Sequence, residues 1–302
     1  MMMEKVKAWF QLVRPFTLIA PFIAVFFGVI IQLATGNQLP LFFDNLGIII
    51  FASLILAAAQ AVGQILNQLE DIEVDKINHK DYRPIISGVI SKGEAEAASW
   101  MLSIFSVVGS FAINISFGFF IFIFLLFGVL YNLEPFRIKK RLWINTASLA
   151  ISRGLLPFPA AWSLFGNILN PIPWLIGSLV GLWVLAWQNT KDLNDIEGDK
   201  RFGIVTPAVF HQRITLNKIM AFLSFLTFFL LGLYLYFGIL PRNLITLFIL
   251  GVPTIWMLHK MYINKIARST LENNELWAVF YLTLAGFYIV AAATCLIHSY
   301  PL

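Results

Sequence analysis

Charged residues and cysteine are scarce in this chain. Only 12% of its 302 residues are charged and 59% are hydrophobic, whereas an average soluble protein has about 25% charged residues. So few polar side chains cannot cover a water-facing surface all round, and most of the chain must face lipid or pack against segments that do. Cys295 is the single cysteine, which excludes an intrachain disulfide framework.

Nine apolar runs approach the length of about 20 residues that a transmembrane helix needs. We predict transmembrane helices at Phe16–Thr35, Leu46–Leu66, Ala95–Asn114, Phe117–Tyr131, Trp143–Phe165, Trp174–Thr190, Ile219–Phe237, Leu244–Met261 and Leu276–His298. The first run contains Pro21 and lacks a small-residue cleavage site, so we interpret it as a retained helix rather than a cleaved signal peptide. The prediction is an all-α polytopic membrane protein with a single domain over residues 1–302.

The basic residues fall almost entirely on one side of this nine-helix arrangement. Of the 21 lysines and arginines, 19 precede the first helix or follow an even-numbered one, the last of them being Arg268. Arg242 alone falls on the other side, and Arg153 lies within the fifth helix. This asymmetry predicts a cytoplasmic N-terminus and an external C-terminus. Because topology accounts for the net charge of +5, we expect a lipid bilayer and no nucleic acid as a partner.

The acidic residues concentrate in the two longest loops, near residues 67–92 and 190–213, both on the predicted cytoplasmic side. Nine of the 16 acidic side chains lie there. The candidate ligands are Asn67, Asp71 and Asp75, spaced four residues apart, and Asp192, Asp195 and Asp199, spaced three and four apart. Each set would share one helix face, where like charges repel unless a cation intervenes. Carboxylates without Cys or His partners favour Mg²⁺ or Ca²⁺, and Mg²⁺ commonly binds through one or two carboxylates plus substrate phosphates.

The two acidic clusters also repeat along the chain. Asp71 and Asp195 are 124 residues apart, as are Asp75 and Asp199. This predicts two pseudo-repeats, roughly 1–142 and 143–275, followed by a last helix at 276–298. A single acidic loop is more often only solvated charge, but two loops with the same spacing at one membrane face favour a shared metal and diphosphate site.

Both acidic segments resemble known signatures. The stretch NQLEDIEVD from Asn67 to Asp75 is similar to the NxxxDxxxD signature of the UbiA-type intramembrane prenyltransferases, and DLNDIEGD from Asp192 to Asp199 is similar to their DxxDxxxD signature. Further similarities lie at Arg14-Pro15, in RPIISG from Arg83, and in YNLEPFRIKKR from Tyr131.

The resemblance implies nine transmembrane helices around a central cavity that the two Asp-rich loops cap. It also implies Mg²⁺-dependent transfer of a prenyl group, from a geranyl to geranylgeranyl or longer diphosphate, to a hydrophobic acceptor. The two Asp segments and the Arg153-Gly154 pair resemble the homogentisate and quinone-type enzymes, which favours an aromatic or quinone precursor as acceptor. Arg83-Pro84 resembles instead the chlorophyll-synthase and archaeal digeranylgeranylglyceryl phosphate synthase groups, which leaves geranylgeranylglyceryl phosphate as the alternative.

Roles for individual residues follow from the motifs and from charge. We predict that Asp71, Asp75, Asp195 and Asp199 are catalytic and bind the metal, with Asp192 and Asn67 assisting. Candidates for binding the diphosphate or the rest of the substrate are Arg14, Asn67, Arg83, Tyr131, Lys139, Lys140, Arg153, Lys191, Lys200 and Arg201. Charge inside a membrane is costly and tends to face a cavity, so Arg153 either lines the pocket or snorkels to the interface.

Two other classes fit the sequence less well. A transporter often has inverted repeats and charges near the membrane midplane, whereas the acidic residues here lie in loops at one face. A CDP-alcohol phosphotransferase also uses Asp motifs with Mg²⁺, but it needs a single Asp-Gly…Ala-Arg…Gly…Asp stretch that this sequence lacks.

Overall fold

The computed structural model describes residues 2–267 and 274–299, and within them all regular secondary structure is helical. The α-helices are α1 Met2–Val13, α2 Pro15–Thr35, α3 Pro40–Asp44, α4 Leu46–Glu70, α5 Ile72–Ile77, α6 Lys92–Ile113, α7 Ile115–Asn132, α8 Leu142–Leu149, α9 Pro157–Trp162, α10 Pro171–Trp187, α11 Ile196–Arg201, α12 Pro207–Phe210, α13 Arg213–Tyr236, α14 Gly251–Tyr262 and α15 Glu275–Ser299. Segments of 3₁₀-helix lie at Ile138–Lys140, Gln188–Asn194 and Arg242–Leu250, and a π-helical turn lies at Ala150–Leu155.

Eight helices within the described residues are long and apolar enough to cross a membrane, counting the 3₁₀ extensions of α10 and α14. They coincide with eight of the predicted spans. The predicted span Trp143–Phe165 is instead a chain of α8, the π turn and α9, so the count of nine is not confirmed.

The interruption within this segment has a local cause. Pro157 has no amide hydrogen to donate to the carbonyl of Arg153, and its ring would clash with that carbonyl in a regular α-helix. The preceding amide, that of Leu156, bonds to the carbonyl of Ile151 at 2.9 Å, one residue farther back than in an α-helix. The helix is therefore widened in the turn that carries Arg153.

The centre of the bundle is formed by α2, α4, α10 and α15: α2 packs on α4 and α15, and α15 also packs on α10. Its largest buried side chains include Trp183, Trp187 and Phe280, and the rings of Trp183 and Phe280 stack at 5.4 Å between centroids. The outer helices are far more exposed. In the most apolar stretch of α6, 17% of the residues are buried inside the protein, compared with 56% in α4. The exposed apolar faces of such helices suit a lipid environment.

Each Asp-rich segment is a break between a long helix and a short one. Helix α4 ends before Asp71 and α5 begins after it, with the Asp75 amide bonded to the Asp71 carbonyl at 2.7 Å. The second segment repeats this geometry, with the Asp199 amide bonded to the Asp195 carbonyl at 2.9 Å. The division into two sequence repeats stays a prediction, and Arg268 lies outside the described residues.

Candidate active site

A cavity that is partly open to solvent lies between the two Asp-rich segments and extends into the bundle. Most of the residues predicted for the site line it: Arg14, Asn67, Asp71, Asp75, Arg83, Tyr131, Lys139, Arg153, Lys191, Asp192, Asp195 and Asp199. The tertiary structure therefore brings both acidic clusters, separated by more than a hundred residues, to one site.

Asp71 is held by basic residues from the loop after α7. Its Oδ1 lies 2.6 Å from Lys139 Nζ and 3.2 Å from Arg137 Nη2, and its Oδ2 accepts a hydrogen bond from Asn67 Nδ2 at 2.7 Å. Burial opposes ionisation of Asp71, but the charges of Lys139 and Arg137 outweigh it and hold the pKa of the carboxyl below its usual value. Burial in turn lowers the pKa of Lys139, although Asp71 partly offsets this effect.

Asp75 and Asp195 are connected across the site by one lysine. Lys80 Nζ lies 2.6 Å from Asp195 Oδ1 and 3.5 Å from Asp75 Oδ1, and Arg83 forms a buried ion pair with Asp75. Burial raises the pKa of Asp75, and the charges of Arg83 and Lys80 offset this only in part. Lys80 thus lies between the two Asp-rich segments, where it partly neutralises both.

The carboxyl groups of the second Asp-rich segment lie close enough to disfavour one another's ionisation. Lys191 lies 3.1 Å from Asp192, but burial together with the neighbouring Asp192 and Asp195 raises the pKa of Asp199 to about 8. A carboxyl that acidic neighbours keep neutral becomes easier to ionise when a cation binds beside it. The all-oxygen donor set around Asp199 therefore fits a hard divalent cation.

The carboxylates are not drawn into a compact cluster in this structure. Among residues 2–267 and 274–299, no three His, Cys, Asp or Glu side chains are grouped tightly enough to form a metal site on their own. Lysine and arginine side chains stand between the carboxylates instead, as Lys80 does between Asp75 and Asp195. A metal bound here would need bridging oxygen atoms, such as those of a diphosphate, between the two segments.

Tyr131 joins the basic side chains to the wall of the cavity. Its hydroxyl accepts a hydrogen bond from Lys191 Nζ at 2.8 Å and donates one to Asn145 Oδ1 at 2.9 Å. Asn145 Nδ2 donates in turn to the Lys139 carbonyl at 3.0 Å. This network fixes the position of the Tyr131 ring and of the Lys191 ammonium in the cavity.

Three of the predicted basic residues are not brought to the cavity. Lys140 pairs with Glu134 at 2.9 Å, and Arg201 pairs with Glu197 at 2.8 Å on the outer surface. Lys200 is exposed. The reason is helical periodicity, because the side chains next to the inward-facing Asp199 and Lys139 must point elsewhere.

Several lining residues were not predicted from the sequence. Lys80 lines the cavity, and Arg137 contacts Asp71 from outside the lining. Both lie in loops that carry the predicted motifs, and the nearby acidic residues were a usable signal for them. Trp277 comes from the last helix and Gln60 from the middle of α4, and both line the cavity. No local pattern marks these two, since only the packing of α15 against the bundle brings Trp277 to the site.

Comparison with known proteins identifies the family of this chain. The model of the UbiA prenyltransferase family matches residues 21–276. The chain is 32% identical over 208 residues to the digeranylgeranylglyceryl phosphate synthase of Sulfolobus acidocaldarius, which covers 68% of this chain and 69% of the relative. It is 33% identical over 154 residues to the probable homogentisate phytyltransferase 2, chloroplastic, of Oryza sativa subsp. japonica, which covers 47% of this chain and 39% of the relative.

The fold is also similar to that of a solved protein. A UbiA homologue from Archaeoglobus fulgidus, bound to GPP and Mg²⁺, superposes with a TM-score of 0.66 at 20% identity, over 95% of this chain and 99% of that one. Since the family model matches most of the chain, the protein belongs to the UbiA prenyltransferase family. The predictions of the family, of prenyltransferase activity and of a multi-pass membrane protein are thus confirmed.

Proposed function

We propose that this UbiA-family prenyltransferase moves a prenyl group from a prenyl diphosphate to a hydrophobic acceptor, with Mg²⁺ bound between the two Asp-rich segments. The observation that carries the proposal is one cavity whose wall holds Asp residues of both Asp-rich segments together with lysines and arginines. Acidic and basic side chains together match the two partners of a metal diphosphate, namely the cation and the anion.

The residues divide into two sets around the leaving group. Asp71, Asp75, Asp195 and Asp199 would hold Mg²⁺, with Asn67 and Asp192 assisting. When bound, the metal would neutralise the charge that develops on the diphosphate as its bond to the allylic carbon breaks. Arg83, Lys139 and Lys191, together with Lys80 and Arg14, are placed along the same cavity and would donate to the phosphate oxygens.

The reaction balances without a redox partner. The bond between C1 of the prenyl group and the diphosphate oxygen breaks with its electron pair on the oxygen. A new bond forms between C1 and the acceptor nucleophile, and the diphosphate accepts the proton that the acceptor loses. The rings of Phe124, Phe127, Tyr131 and Trp277 line the cavity, and their faces would stabilise the allylic cation while the apolar bundle excludes water.

Two acceptor classes are supported by different observations. The similarity to a digeranylgeranylglyceryl phosphate synthase favours a prenylglyceryl phosphate, and the similarity to a homogentisate phytyltransferase favours an aromatic acid. We also propose that the N-terminus and both Asp-rich segments face the cytoplasm, because nearly all basic loop residues lie on that side.

The test is transfer of a labelled prenyl group by the purified full-length chain. Geranyl, farnesyl and geranylgeranyl diphosphate would each be supplied with Mg²⁺ and a panel containing aromatic acids, quinols and a prenylglyceryl phosphate. We expect a prenylated product that depends on the metal. Absence of product with every acceptor, together with no binding of the diphosphate, would overturn the proposal.

A further inference from the structure

Lys80 connects the two Asp-rich segments through a single side chain. Its Nζ lies 2.6 Å from Asp195 Oδ1 and 3.5 Å from Asp75 Oδ1. The lysine side chain is 15% exposed and lines the main cavity. Lys80 therefore occupies the space between two carboxylates that we assign to the metal.

The backbone turn that carries Lys80 is repeated in the second segment, but its charge is not. The amide of Lys80 donates to the carbonyl five residues earlier at 2.9 Å, and the amide of Ile204 makes the equivalent bond at 2.8 Å. Each turn passes through a left-handed residue, His79 with φ 56° and Gly203 with φ 66°. The same position thus holds a cation in one segment and the buried, apolar Ile204 in the other.

The contact between Lys80 and Asp195 is a charge contact without hydrogen-bond geometry. Asp195 Oδ1 is buried and accepts no hydrogen bond within the described part of the chain, although Lys80 Nζ is 2.6 Å away. By contrast, Lys139 Nζ donates a hydrogen bond to Asp71 at 2.6 Å. A buried acceptor without a well-directed donor is disfavoured, so Asp195 Oδ1 would gain from exchanging Lys80 for a better-placed ligand.

Lys80 and a divalent cation would compete for this oxygen. Mg²⁺ binds carboxylate oxygens at about 2.0–2.1 Å, whereas the ammonium lies 2.6 Å from Asp195 Oδ1. Both cations on one oxygen would lie roughly 4 Å apart, where like charges in a partly buried site repel strongly. Metal binding at Asp195 is therefore opposed as long as Lys80 stays there.

We propose that Lys80 holds the place of the metal between the two segments until a diphosphate binds, and that it then exchanges Asp195 for a phosphate oxygen. This inference rests on the proposed function. A lysine has a flexible four-carbon stem and three rotatable donors, so Lys80 reaches either partner from the same backbone turn. Mg²⁺ alone would then bind weakly, and metal and diphosphate would raise each other's affinity.

Binding of each partner alone tests the exchange in the full-length protein in detergent. Mn²⁺ is the metal probe, because carboxylates bind it as they bind Mg²⁺ and free Mn²⁺ is counted by electron paramagnetic resonance. Without diphosphate, Lys80→Met should lower the dissociation constant for Mn²⁺ about 10-fold, since the competing charge is removed. Inorganic diphosphate without metal, measured by calorimetry, should bind Lys80→Met about 10-fold more weakly.

Two further variants assign these opposite effects to the charge of Lys80. Lys80→Arg keeps the charge and should bind Mn²⁺ much as the wild-type protein does. Lys76→Met is the matched control, because Lys76 is an exposed lysine one turn earlier that pairs with Glu73 at 3.0 Å. Neither affinity should change in it. Added diphosphate should tighten Mn²⁺ binding about 10- to 100-fold in the wild-type protein and less in Lys80→Met.

The outcomes separate this inference from the proposed function. Unchanged Mn²⁺ affinity in Lys80→Met would overturn the inference, and so would weaker binding of both probes, which is what the loss of a purely structural contact produces. If Lys80→Met does not fold, Lys80→Gln removes the charge and gives the same test. Wild-type protein that binds neither Mn²⁺ nor diphosphate would instead count against the proposed function.

Discussion

The two Asp-rich segments have the same spacing and backbone geometry but different electrostatic surroundings. In the first, Asp71 is paired with Lys139 and Arg137, and its pKa lies below the usual value. In the second, Asp199 is surrounded by other carboxylates and its pKa is raised to about 8. Asp71 is thus largely neutralised by basic side chains of the protein, whereas the carboxyl of Asp199 is disfavoured by its acidic neighbours and would be stabilised as an anion by a bound cation.

The difference arises because the basic partners are not repeated. At the 124-residue offset that relates the Asp pairs, Arg137 and Lys139 correspond to Met261 and Ile263. The protein therefore supplies two cations to the first segment that have no counterpart in the second. We therefore expect the two motifs to differ in what they bind, since the surrounding charges determine what each carboxylate can bind.

The largest expected effect is the loss of transfer when either segment loses a carboxylate. Asp71→Ala and Asp195→Ala should each lower the rate about 100- to 1000-fold, because both remove charge that holds the metal diphosphate. The measurement is transfer of a labelled prenyl group at saturating Mg²⁺. Glu73→Gln and Glu197→Gln are the controls, because both residues are exposed and they are related by the same 124-residue offset. Near-normal rates in the Ala variants would contradict the assignment of these Asp residues to the metal.

In the absence of metal, substitutions in the two segments should have different effects on the free energy of unfolding. Asp71→Ala leaves Lys139, which is buried, without its partner, and should lower the free energy of unfolding by about 3 kcal/mol. Asp199→Asn removes a carboxyl that its neighbours disfavour and should not destabilise. Thermal unfolding in detergent checks both, and Asp71→Ala combined with Lys139→Met should recover the loss. Equal destabilisation by the two single substitutions would contradict the comparison.

Added Mg²⁺ should stabilise the protein through the second segment. At a concentration 100 times the dissociation constant, binding contributes about 2.7 kcal/mol, which chelation would remove. Asp195→Asn should lose most of this stabilisation, and Glu197→Gln should keep it. The shift in the unfolding midpoint with and without Mg²⁺ measures the effect, and an unchanged shift in Asp195→Asn would count against this site.

The pH dependence of the metal-free protein should reflect Asp199. Between the usual carboxyl pKa near 4 and about 8, the folded state keeps a proton on Asp199 that the unfolded state has lost. Stability therefore falls as pH rises through this window, by at most about 1.4 kcal/mol per pH unit from this group, and levels off above 8. Unfolding midpoints across pH 5–9 should show a weaker slope in Asp199→Asn, and an unchanged slope would exclude Asp199 as the cause.

The smallest expected effect concerns the contact between the segments. Asn78 Oδ1 accepts a hydrogen bond from the Gly198 amide at 3.0 Å, and Asn78→Ala should cost about 1 kcal/mol. Since this hydrogen bond connects the two segments, we expect Asn78→Ala to raise the KM for the prenyl diphosphate more than Glu73→Gln does. Unchanged stability and KM would show that the segments are positioned by other contacts.

Much of the fold was predictable because hydrophobic runs are a local property. Eight predicted spans coincide with long helices in the described residues, and the two Asp signatures identified the family. The segment Leu142–Trp162 was not predicted as broken, although Pro157 and Pro159 were visible in the sequence. A proline limits the regular ladder, but whether the helix widens, bends or ends depends on what packs beside it.

The sequence by itself determined that the chain is a membrane protein, that it carries two acidic clusters of equal spacing, and that these clusters belong to a prenyltransferase family. Hydropathy and side-chain spacing along a helix need no knowledge of distant contacts. Only the tertiary structure decided which bases neutralise which acids, since Lys139 reaches Asp71 across 68 residues. It also decided that Arg153 donates a hydrogen bond to the Tyr281 hydroxyl. These two residues are 128 positions apart in the sequence and meet only because the last helix packs against the bundle.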